Sequence, residues 1–144
     1  MAEDRILAGF RTVDSVEPVQ LYAGEKQVVT TQGTVASGQT LGALNAQGTT
    51  ALFAIVALVG GELVEYDSTA DDGGGAGTGA AATPYGVLPH ALDTSATGYN
   101  DAVDSPVIIE GVLNFEALDT DETYADLKAA FAAAPTGIVI QKLY

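Results

Sequence analysis

The chain has no cysteine. Disulfides are therefore excluded, and with them cysteine-based metal or redox chemistry. Nothing in the sequence calls for an oxidising compartment. Cations are nearly as scarce: five Lys and Arg stand against nineteen Asp and Glu in 144 residues. The net charge is −14 and the pI about 4.1. Between Lys26 and Lys128 there is no lysine or arginine at all. Such a surface repels phosphates and anionic lipid, so neither nucleic acid nor membrane is an expected partner. An apolar run long enough to span a bilayer, about 20 residues, is also missing. Ala51–Val59 is apolar throughout but short, and reads as a core strand or a short buried helix. The first five residues, Met1-Ala2-Glu3-Asp4-Arg5, are acidic where a secretory leader opens on positive charge, so no export signal is expected.

What is present suits one domain. A chain of this length buries about 68–70% of its unfolded surface, enough for a core without staples. Outside Ala51–Val59 the densest β-branched and aromatic stretch is 107–118, opened by Pro106 and interrupted once, at Gly111. Val, Ile and Phe favour a pleated, half-buried surface, so this stretch is expected to be a strand. A glycine inside it predicts a bulge or the close approach of another backbone. Beyond Gly111 the pattern alternates, with Val112, Asn114 and Glu116 opposed to Leu113, Phe115 and Ala117. The strand is thus expected to be buried on both faces first and on one face later.

The remaining elements follow from punctuation. Residues 1–24 are weakly patterned and read as an extended N-terminal arm. Short strands are expected at 26–31 and 40–44. Ala51–Val59 meets Gly60-Gly61 and then Glu62-Leu63-Val64-Glu65, a strong hairpin signal because a two-residue turn needs positive φ. The glutamates mark the second strand as an outer one. Residues 67–83, low in complexity and rich in glycine, carry too few apolar groups to offset their ordering entropy and read as a flexible loop. Residues 84–92 read as a short edge strand with prolines. Asp119 with Glu122 three residues on forms a capping box, so a helix of about three turns is expected to start there. Tyr124, Leu127 and Phe131 give it one apolar stripe, predicted to pack on Leu113 and Phe115. Pro135 and Gly137 end it, and 137–144 reads as a final strand. The expected fold is mainly β, with one short helix in the C-terminal half.

Three places could carry chemistry, and each has a blander explanation. His90 is the only histidine. Asp93 lies three residues on, but no nucleophile stands in a suitable context, so a structural or surface histidine is expected. Asp67, Asp71 and Asp72 precede a glycine run and hint at calcium. The alternate-position spacing and twelfth-position glutamate of an EF-hand are absent, so a solvated acidic loop is the expectation. Gly77-Thr78-Gly79-Ala80-Ala81-Ala82 matches G-x-G-x-x-A in form only, since aspartates precede it and Pro84 follows. No catalytic residue, metal ligand or cofactor site is therefore expected, and the function is one of surfaces and assembly.

One resemblance ties the segments together. Pro84-Tyr85-Gly86-Val87-Leu88 is followed, after a polar loop, by Pro106-Val107-Ile108-Ile109-Glu110-Gly111-Val112-Leu113-Asn114-Phe115 and Leu118. A late helix then leads to Thr136-Gly137-Ile138-Val139-Ile140. Upstream stands Ser37-Gly38-Gln39-Thr40-Leu41. In this order the segments, over roughly residues 25–144, resemble the head decoration proteins of tailed bacteriophages, the family of lambda protein D. The resemblance implies a compact, β-clip-like unit. It also implies a homotrimer on the outer surface of the virion capsid, holding the expanded shell against internal DNA pressure. The major capsid protein is the implied partner, and the arm the implied contact, through Arg5, Ile6, Leu7, Phe10, Arg11, Val13 and Val16. The 67–83 loop is longer, and Ala51–Val59 more apolar, than the family pattern. The acidic, lysine-poor composition leaves a second class open: an exported adhesin or surface-layer module of a salt-adapted organism.

Overall fold

The computed structural model describes residues 21–24, 26–44, 51–95 and 101–143. The chain is mainly β with a single α-helix among these residues. Ten strands run in chain order: β1 (Val29–Val35), β2 (Thr40–Leu41), β3 (Ala43–Leu44), β4 (Ala51–Val59) and β5 (Glu62–Glu65) come first. They are followed by β6 (Gly86–Val87), β7 (Leu92–Asp93), β8 (Val103–Asn114), β9 (Leu118–Asp119) and, after helix α1 (Tyr124–Ala132), β10 (Gly137–Gln141). The main sheet is ordered β1-β5-β4-β6-β8-β10, and β1 also pairs with β8. Five strands therefore close into a small barrel-like ring, with β10 attached outside it along β8.

The ring explains the apolar run of β4 over Ala54–Ala57, all buried; Leu58 beyond it is exposed. Neighbouring residues of a strand face opposite sides. Ile55 belongs to one core cluster, with Val87, Ile108, Leu113, Leu127, Phe131, Ile138 and Ile140. Ala54 and Val56 belong to another, with Val35, Leu63, Leu88 and Val107. The second cluster is shared with β1 and β5 and fills the ring. The first lies between the outer face and the layer formed by α1 and β10. β4, β6 and β8 are thus walls with a core on each side, and polar alternation would fail there. Each fully buried Leu or Ile contributes about 1.5–3 kcal/mol, so the two clusters dominate the stability.

Gly60 and Gly61 turn the β4–β5 hairpin with φ +59 and +87, as a two-residue turn requires, and Val59 pairs with Glu62. Glu62 and Glu65 are exposed. β5 is nonetheless not an outer strand. It is closed on its far side by the Val35–Leu63 pair with β1, supported by a 2.9 Å bond from Ala36 N to Leu63 O.

The central strand is shifted from its expected bounds. It begins at Val103 and stops at Asn114, where residues 115–117 coil into a 3-10 turn. Asn114 is fully buried rather than outward-facing. Its side chain accepts the Glu116 N–H at 3.2 Å, which starts that turn and ends the alternation. Gly111 behaves as its position suggested. It has φ +146, and a Cβ there would lie 3.3 Å from Val28 Cγ2. The β1–β8 register slips beside it, from Val29–Glu110 to Thr30–Ile108, so Ile109 is the extra residue of a bulge.

Other short elements also differ from the sequence reading. The strand expected at 26–31 is Val29–Val35. Residues 40–44 break at Gly42, whose φ is +83, so β2 pairs with β7 while β3 pairs with β4. Residues 84–92 divide into β6 and β7, and the last strand ends at Gln141. The turn between Val35 and β2 is held by buried Thr94, whose hydroxyl donates to Ala36 O at 2.7 Å and accepts from Gln39 N at 2.8 Å.

The helix start is the clearest correction. Asp119 and Glu122 do not form the cap, because pairing of Ala54 with Asp119 draws that segment into β9. Thr123 is the N-cap instead, accepting the Asp126 N–H at 3.2 Å. The helix stops before Pro135 at Ala133, and Gly137 opens β10 rather than capping it. Thr123→Ala should therefore cost about 1 kcal/mol in chemical denaturation, and Asp119→Ala should leave the helix unchanged. The reverse order would restore the capping box at 119. The apolar stripe holds: Leu127 and Phe131 are buried, and Tyr124 meets Phe115 edge-on with ring centroids 5.6 Å apart.

Candidate functional site

The seven arm residues singled out in the sequence, Arg5, Ile6, Leu7, Phe10, Arg11, Val13 and Val16, lie outside the described residues. The root of the arm is described. Leu21 is buried in the core cluster of α1 and β10. Its carbonyl accepts the Asn114 N–H at 2.6 Å, Ala23 N donates to Val112 O at 2.8 Å, and Tyr22 bridges Leu113. Residues 21–23, placed in the arm by the sequence, thus run antiparallel to the end of β8 through an isolated bridge. The approach is close at Gly24, where a Cβ would stand 3.0 Å from Val112 Cβ.

The three later segments that carry the resemblance meet at the same strand. β10 lies parallel to β8 in register from Gly137–Glu110 to Gln141–Asn114. β6 lies on β8 through Val87–Ile108. Thr136 Oγ1, just ahead of β10, donates to Tyr85 O at 2.7 Å and ties the Pro-Tyr-Gly segment to the Thr-Gly-Ile segment. Two cations brace this region: Lys26 Nζ reaches Glu110 at 3.5 Å and Gly137 O at 2.8 Å, and Lys142 reaches Glu116 at 3.5 Å. These partly exposed ion pairs are worth at most about 1 kcal/mol each, so they orient more than they stabilise.

A second feature was not foreseen. Glu65, Tyr66, Asp67, Ser68 and Thr69 face Asp119, Thr120, Asp121 and Glu122 across an open groove of about 290 Å³. β4 brings them together, pairing Val56 with Glu65 and Ala54 with Asp119. No local pattern could show this, because the carboxylates come from segments far apart in sequence. Burial raises the Tyr66 phenol well above its ordinary pKa, aided by its hydrogen bond to Glu122 and by the charges of Glu122, Asp67 and Asp126. The groove presents acceptors and negative charge, so it attracts cations and repels phosphates.

Tyr66 sets a pH signature. The unfolded phenol titrates near pH 10, and the folded one higher. The folded state therefore holds the proton more tightly; that stability is fully present below about pH 10 and is lost as pH rises above it. Melting temperatures taken upward from about pH 10 should fall more steeply for the wild type than for Tyr66→Phe. Parallel curves would show that the phenol is not held neutral.

The other candidate groups are occupied locally. Asp67 Oδ1 accepts from Thr69 N at 2.9 Å and Thr69 Oγ1 at 2.7 Å. Asp71 accepts from Gly73 N and Gly75 N at 2.7 and 3.0 Å, and Asp72 from Thr78 Oγ1 at 2.7 Å. These donors hold all three carboxyls below their usual range. Ala70 O also takes Gly77 N and Gly79 N, so the 67–83 segment has a specific hydrogen-bonded frame. Among the described residues no group of three or more His, Asp or Glu is placed to hold a metal ion. Asp93 is turned to Ser95 and Thr40, and no hydrogen bond joins it to exposed His90. The Gly77–Ala82 run leads into a 3-10 turn of three residues, not a helix. No family model and no curated protein matches the chain.

Proposed function

We propose that the protein is a capsid decoration protein. It binds the exterior of an expanded phage head as trimers and stabilises the shell against the pressure of packaged DNA. One observation carries this reading. The segments that resemble the phage head decoration family, scattered over residues 84–140, are neighbours on β8, where Thr136 bonds Tyr85 and β10 pairs with the Gly-x-x-Asn stretch. The β-clip-like form of the family is part of the same proposal. The charge balance supports it, since a protein on the outside of a head has no DNA to neutralise. So does the root of the arm, which is fixed antiparallel to β8 by the bonds of Leu21 and Ala23 and the Tyr22–Leu113 bridge.

Cementing works by mass action. A ligand that binds only the expanded lattice stabilises it by RT ln(1 + [L]/Kd) at every site, about 2.7 kcal/mol at one hundred times Kd. The test is co-sedimentation with expanded, undecorated heads. Saturable binding by the full chain is expected. Removal of residues 1–20 is expected to weaken binding at least about tenfold, or 1.4 kcal/mol, with the melting temperature of the body kept. If the full chain fails to bind heads of its own phage, the proposal fails. If the truncated chain binds as well as the full one, the arm is not the contact.

A further inference from the structure

We draw no further inference here: the strongest candidate, the open groove that Glu65, Asp67, Asp119, Asp121 and Glu122 line between the end of β5 and the turn before α1, is an acidic cluster into which no buried, unpartnered polar side chain among the described residues is aimed, so nothing in the structure says what it would hold.

Discussion

Gly86→Ala is expected to destabilise the body by about 3 kcal/mol, the upper end of what overpacking costs. A Cβ at this position would stand 2.6 Å from Ile108 O and 2.6 Å from Val107 Cγ2. The side chain could turn away, but the carbonyl belongs to the central strand and cannot. Relief means lifting β6 off β8, and those two strands meet through the single pair Val87–Ile108. The substitution thus acts on the seam that joins β4 to β8 in the ring. Gly60→Ala is the comparison. It lies in the left-handed region at φ +59 with nothing within 4 Å, so only the backbone penalty of about 1–2 kcal/mol applies. Urea unfolding of the two variants should separate them clearly. Equal losses would mean that β6 packs less closely on β8 than the 2.6 Å contacts require.

Phe131→Ala has the other large effect, about 3–5 kcal/mol. Phe131 is 2% exposed and shares its cluster with Leu113, Leu127, Ile138 and Ile140. Removing the ring opens a cavity between the helix and the outer face of the sheet, and strands fixed by pairing cannot collapse to fill it. Phe115→Ala should cost less, about 2 kcal/mol, because Phe115 is half-buried and its main aromatic partner is Tyr124. A reversed order would place the other side of the helix against the sheet. Against a total of about 5–15 kcal/mol, Phe131→Ala alone can remove most of the stability of the body when that total is at its low end.

The parts legible in the sequence were those whose cause is local. Gly60-Gly61 announces its turn because two positive φ angles admit few other residues. Leu127 and Phe131 announce a buried face because their spacing is helical. Gly111 marked a disturbed strand, and the bulge sits beside it. The corrections have the opposite character. Asp119 and Glu122 satisfy the capping pattern, yet pairing with Ala54 pulls Asp119 into a strand and moves the cap to Thr123. Asn114 looks like a solvent-facing member of an alternation, yet its amide is needed to start the turn that follows. β5 looks like an outer strand, since nothing in it foretells a parallel contact with Val35. The acidic groove was illegible for the same reason: its two walls are joined only through β4.

The closed ring also sets an order of events. Its first strand, β1, finds its long partner only in β8, from Val35–Val103 to Val29–Glu110. During synthesis β1, β4 and β5 all leave the ribosome before that partner exists. The hairpin of β4 and β5 can form at once, but neither of its two core clusters is complete until β8, α1 and β10 have been made. Non-local pairing of this kind is slow compared with helix or hairpin formation. The nascent chain therefore spends an interval with a nine-residue apolar strand on view. In that interval the net negative charge of the chain opposes the association of one unfinished copy with another.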